Sequence, residues 1–191
     1  ENYLEACLLQ DPKFFAARLP LARAYFYQQK YNYAKRELEI ILREDPQNAA
    51  AWYLKGQIAL TEEAFDTAIA DFEKGLKITP DNPDLQKALN NATTTKLLKL
   101  AKRMEQKQDW EKALYFYEKL HIQFPDNSDF IYHIGLLYYK DQDYSQAQRY
   151  FRKCIKINPL QYDALFYLGK IAFQQKDLPL AKQYLLKLTQ L

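Results

Sequence analysis

Glycine is scarce in this chain, with 4 in 191 residues. That excludes a glycine-rich loop cradling phosphates, and with proline falling at regular places it means short loops and few linkers. Histidine and cysteine are equally sparse, at 2 each. His121 and His133 fall on different predicted helices, and neither has a Cys, His or carboxylate at metal-ligand spacing. No nucleophile stands beside a plausible base. The chain is therefore expected to be no enzyme and to hold no metal and no cofactor. His121 follows Leu120 near the end of a predicted helix B, where a cation can meet the helix dipole. No apolar run approaches the roughly 18 residues of a membrane span. A net charge of only +3 argues against a chain built mainly to hold nucleic acid. What is abundant is apolar and aromatic: 48% of residues are hydrophobic and 16 are tyrosine. That is ample for a continuous core, and nothing suggests disorder.

Alanine recurs at Ala34, Ala68, Ala113, Ala147 and Ala181. Proline recurs at Pro12, Pro46, Pro80, Pro125 and Pro159, at spacings of 34, 34, 45 and 34 residues. A fixed period of this size marks a stack of like supersecondary pieces. Repeats are read at 15–48, 49–82, 94–127, 128–161 and 162–191, with 1–14 as the end of a preceding repeat and 83–93 as a helical insertion.

Each repeat reads as two helices, A over about positions 1–14 and B over about 17–30. In the fourth, Ile134, Gly135 and Tyr138 share one face of helix A. Asp143 is placed to cap helix B, and Asn158-Pro159 ends it. Position 8 is Ala22, Gly56, Ala101, Gly135 and Gly169, and position 20 is always alanine, so helices can approach closely there. Tyr31, Phe65, Trp110 and Tyr144 fill the space beside that contact. Cys7 and Cys154 occupy one repeat position on the apolar face of helix B. They are too far apart for a disulfide and are expected to act as small buried hydrophobes. Two unpaired thiols favour a reducing compartment such as the cytoplasm.

The 45-residue step carries 11 extra residues. At about 100° each they make three turns plus roughly 20°, so a helix can lengthen and keep its face. One helix from about Pro83 to Lys107, capped by Asn82, is expected. A break at the poor helix formers 90–95 is the alternative.

Trp52, Gly56, Ala68, Phe72 and Pro80 in the second repeat resemble the tetratricopeptide repeat (TPR) family, as do Ile134-Gly135, Tyr138, Ala147, Phe151 and Pro159 in the fourth. The resemblance covers nearly the whole chain. Lys55 and Ala59 depart from the family's Leu and Tyr, and Pro20 should kink or delay the first helix A. The resemblance implies an all-α, right-handed superhelix of antiparallel helix pairs (an α-solenoid). Helix A would line its concave face. It further implies a protein-interaction scaffold whose groove presents Arg23, Tyr27, Tyr53, Gln57, Lys102, Tyr132, His133, Tyr139, Phe166, Tyr167 and Lys170. Tyr53, Tyr132, Tyr139 and Tyr167 either form a partner surface or mostly pack inside. Arg23, Lys102 and Lys170 would bias binding toward an acidic, apolar segment of a protein or peptide.

The family's carboxylate clamp for chaperone tails is not rebuilt from any starting repeat; from the second, its positions read Tyr53, Gln57, Lys99, Asp129 and His133. Such tails are not expected to bind. Lys96, Lys99, Lys102, Arg103 and Lys107 read as a solvated face interrupted by Glu105, Asp129 and Asp163, so nucleic acid is an unfavoured partner. Leu185 and Leu188 lie on an apolar face of the last helix, and Tyr3, Leu4 and Leu8 on the first. Solenoids need polar caps, so further repeats or self-association are expected to cover these ends. The chain starts at Glu1 within a helical pattern and stops within another, and it is read as a piece of a longer protein. The alternative function is that of an assembly or spacer module acting through its ends or convex face.

Overall fold

A computed structural model of the protein describes residues 2–11 and 14–189. The described chain is all-α and contains no strand. The helices are α1 (Asn2–Gln10), α2 (Arg18–Tyr27), α3 (Tyr31–Glu44), α4 (Ala49–Thr61), α5 (Phe65–Ile78), α6 (Pro83–Gln106), α7 (Trp110–Gln123), α8 (Ser128–Lys140), α9 (Tyr144–Ile157), α10 (Tyr162–Gln174) and α11 (Leu178–Thr189). Pro12, expected to close the first partial repeat, lies outside the described residues. Pro20 delays its helix as anticipated: a 3-10 turn at Phe15–Ala17 comes first and α2 begins at Arg18.

Helices two by two form hairpins, α2 with α3, α4 with α5, α8 with α9 and α10 with α11. The chain divides into two compact units, Glu1–Thr95 and Lys96–Leu191. In the first, Leu21, Ala34, Leu38, Ala51 and Ile58 form one core cluster, and Ala68, Phe72, Leu85 and Ala92 form another. In the second, Ala101, Ala113, Tyr117 and Ile134 form one, and Ala147, Phe151, Cys154, Leu165 and Leu168 the other.

The small residues do what their spacing implies. A Cβ at Gly56 would stand 2.5 Å from the Phe72 ring, and one at Gly135 would stand 2.8 Å from the Phe151 ring. Helix A and helix B are in contact there through an aromatic face laid on bare backbone. Residues 90–95 are helical throughout, so α6 is unbroken over 24 residues. Asn82 caps it, its Oδ1 accepting from the N–H groups of Asp84 and Leu85 at 3.0 and 3.1 Å.

The turns between paired helices share one device. Gln29, Glu63, Gln108, Gln142 and Lys176 all have φ between 58° and 64°. The following N–H reaches back five residues in each case, as in Lys30 to Tyr25 O and Asp143 to Tyr138 O, both 2.9 Å. This is the left-handed helix-end motif usually given to glycine. Here long polar side chains adopt it at the same place in every repeat.

Candidate functional site

The exposed faces of the A helices carry the residues expected in a groove. In the first unit Arg23 and Tyr27 of α2 are exposed, Tyr27 at 81%. Tyr53 and Gln57 of α4 are half-buried, and the Tyr53 ring lies 6.0 Å from that of Phe72. Tyr53 therefore divides its area between core and surface.

The second unit brings its candidates into closer company. Tyr167 of α10 stacks on the buried Phe151 ring at 5.4 Å and 10°. Tyr139 of α8 meets Tyr167 at 4.9 Å, Tyr132 lies 6.4 Å from it, and Phe166 packs edge-on at 5.6 Å. Lys170, one helical turn on, places its ammonium over Tyr139 at 5.4 Å and over Tyr167 at 6.0 Å. The three tyrosines are half-buried, while Phe166 and Lys170 are exposed. Each ring has one side packed on its neighbours and another toward solvent. Burial pushes the Tyr132 phenol upward, with Asp163 and Tyr167 adding to it, so it remains a neutral donor.

Beside this row lies a cleft of about 260 Å3 lined by Leu98, Lys102, Asp129, Tyr132, His133 and Gln161 among others. His133 stacks on Tyr117 with centroids 4.6 Å apart and planes within 5°. Its Nδ1 lies 3.2 Å from Glu105 Oε1, while the Tyr117 hydroxyl donates to Glu105 Oε2 at 3.0 Å. Burial is the largest single influence on Glu105 and would raise its pKa. The hydrogen bonds and charge of His133, with Tyr117 and Lys102, outweigh it and hold the carboxyl below its ordinary range. Read from sequence, Glu105 only interrupts a basic face. In space it is the anchor of His133, from 28 residues away.

His121 requires a correction. Lys153 Nζ lies 2.9 Å from its Nε2. Burial and then the Lys153 charge lower its pKa. It is a neutral acceptor, not the cation expected at a helix end. Cys154 is buried, its thiol pushed up to about 12 by burial and then by Asp129, which leaves it an inert hydrophobe. Among the described residues no three His, Cys, Asp or Glu are grouped to hold a metal, and no helix is long and apolar enough to cross a membrane.

Stacked helix hairpins with a 34-residue period, small contact residues and an aromatic helix-A face define a helical-repeat scaffold of the protein-interaction class. The chain belongs to the tetratricopeptide repeat family. Residues 38–159 match the family model described as the cytochrome c-type biogenesis protein H TPR domain. Two further tetratricopeptide repeat models match residues 132–191 and 1–58. The curated proteins contain no significant match. Among solved structures, a MamA double mutant is 16% identical over 92% of this chain and 93% of its own, with a TM-score of 0.48. YrrB, described as a TPR protein with an unusual peptide-binding site, is 16% identical over 96% and 89%, with a TM-score of 0.44. PilF of Pseudomonas aeruginosa is 19% identical over 92% and 75%, with a TM-score of 0.46.

Proposed function

We propose that this chain is a protein-interaction scaffold whose second unit grips a partner segment along the helix-A faces of α8 and α10. The observation that carries this reading is the row Tyr132, Tyr139, Tyr167, Phe166 and Lys170, mutually packed yet open to solvent. Rings already locked by neighbours lose little entropy on binding, and tyrosine offers area with a polar tip. The Lys170 ammonium at one side and Lys102 in the adjacent cleft suit a segment carrying apolar side chains beside carboxylates. In the first unit, Arg23, Tyr27, Tyr53 and Gln57 would offer a smaller surface of the same kind.

The test uses residues whose loss spares the core. Tyr132 and Tyr167 lean on Phe151, so truncating them would confound folding with binding. Phe166 is 47% exposed. The variant Phe166→Ala, Lys170→Glu is therefore expected to keep the parent's circular dichroism. In capture from native extract it should lose the parent's partner, with affinity down at least about tenfold. A partner held equally by both proteins would move the function to the ends or outer face. There α11 shows Leu178 at 59% and Leu185 at 40% exposure.

A further inference from the structure

A second cavity, of about 300 Å3, lies away from the tyrosine row, where the start of α7 meets the end of α8. Its lining is Trp110, Glu111, Leu114, Leu137, Tyr138 and Asp141. Leu137 is buried. Trp110 and Tyr138 are half-buried, and Glu111 and Asp141 are exposed. Tyr138 is held in place by stacking on Tyr150 at 5.5 Å and 17°. Among the described residues neither the Glu111 nor the Asp141 carboxylate has a hydrogen-bond or ion-pair partner; Glu111 feels its neighbour Lys112, whose ammonium is paired with Asp109 at 2.7 Å, and Asp141 bonds through its backbone N–H to Leu137 O. Near Tyr138, Glu118 and Asp143 act on its phenol in the same sense as its burial, and Arg149 opposes them.

We infer that this cavity is a receptor for an arginine side chain of a partner protein, its guanidinium placed between Trp110 and Tyr138 and answered by Glu111 and Asp141. The chemistry of the lining selects that occupant. An anion would face two carboxylates, and an aliphatic side chain would leave them without a partner. A planar cation suits both halves: its faces stack on rings and its N–H groups fork to carboxylates. A lysine ammonium satisfies the charge but not the planar stacking. This site does not rest on the tyrosine row, and its opposite charge preference would let one partner engage acidic and basic residues at separate places.

The two tryptophans make the test direct, since Trp52 in the first unit is an internal control. The unaltered chain, labelled with nitrogen-15, is titrated with blocked Gly-Arg-Gly, Gly-Lys-Gly and Gly-Glu-Gly peptides. The indole N–H resonances are followed, with Trp110→Phe assigning them. The arginine peptide is expected to shift the Trp110 resonance saturably and leave Trp52 in place, and the effect should weaken with salt. The lysine peptide should bind more weakly and the acidic one not at all. Glu111→Gln with Asp141→Asn should raise the dissociation constant at least about tenfold. A stationary Trp110, an equal response to the acidic peptide, or an unchanged affinity in the double variant would overturn the site. Lysine binding as tight as arginine would overturn the guanidinium assignment. The peptide comparison and the salt response are read on the unaltered chain, so they stand even if a variant fails to fold.

Discussion

Phe151→Ala is expected to lower the unfolding free energy by about 3–5 kcal/mol, the usual cost of emptying an aromatic site in a packed core. The Phe151 side chain is fully buried on α9. One side of its ring lies on the bare backbone of Gly135, where an added Cβ would stand 2.8 and 2.9 Å from ring atoms. Another stacks on Tyr167 at 5.4 Å, with Tyr132 at 6.0 Å. A helix backbone and two locked rings cannot move in to close the gap, so most of the cavity would persist. The same contact predicts the reverse experiment. Gly135→Ala gains up to about 1 kcal/mol of helix propensity, yet forces the ring or α8 aside at about 1–3 kcal/mol. A net loss is expected. Adding Phe151→Leu to Gly135→Ala should recover part of it, because the smaller side chain yields to the new methyl. Urea unfolding of the parent, Phe151→Ala, Gly135→Ala, Phe151→Leu and the Gly135→Ala, Phe151→Leu double variant measures the loss and closes the cycle. A Phe151→Ala loss below about 1 kcal/mol would mean that α8 and α9 do not meet in this way. Tyr132 and Tyr167 rest on this ring, so the groove's order depends on it.

Much of this is legible in the sequence, for reasons particular residues show. The position-8 small residues and the alanine at position 20 mark the helix crossings, because only small side chains permit them. The 11-residue insertion implies a lengthened α6, because it nearly preserves the helix face. Whether α6 breaks at 90–95 was not decidable locally. Propensity argues for a break, but Leu85, Ala88 and Ala92 are buried in the same cluster as Phe72 and hold the helix together. The left-handed turns are invisible to a glycine search, since Gln, Glu and Lys occupy them. The Glu105–His133–Tyr117 cluster joins three helices, so no sequence spacing announces it. The cavity at Trp110 and Tyr138 is hidden for the same reason: Trp110 reads as a space-filling aromatic beside a helix contact.

One departure was half-legible and carries the second large effect. Lys55 stands where the other repeats have Leu21, Leu100, Ile134 and Leu168. Its counterpart is Asp71, at a position that is Phe116, Tyr150 and Tyr184 in the last three repeats. Asp71 is 2% exposed. Its Oδ1 lies 3.7 Å from Lys55 Nζ and 4.0 Å from Lys74 Nζ, and its buried Oδ2 has no hydrogen-bond partner. Both ammonium groups also lie over the Trp52 ring, at 5.0 and 4.3 Å. Burial raises the Asp71 pKa above its ordinary 3.8, and Lys55 and Lys74 only partly offset it. Between the unfolded and folded pKa values the native state binds more protons, so this group's contribution to stability falls as pH rises through that window and returns as pH falls. Glu105, held low, acts oppositely: its contribution is present above the ordinary carboxylate range and is lost as pH falls. Comparing each variant with its parent at one pH cancels Glu105 and isolates Asp71. Near neutral pH, Lys55→Leu should cost on the order of 2–3 kcal/mol, less than the roughly 3–5 of losing a sole partner because Lys74 remains. That deficit should shrink toward about pH 4, as protonation removes the charge Lys55 was balancing. Lys55→Leu with Asp71→Leu replaces the pair by the largely apolar character of the last three repeats, and should stabilise by about 1–4 kcal/mol. A double variant less stable than the parent, or a Lys55→Leu deficit equal at both pH values, would show that Asp71 is not the strained charge its burial and its unpaired oxygen describe.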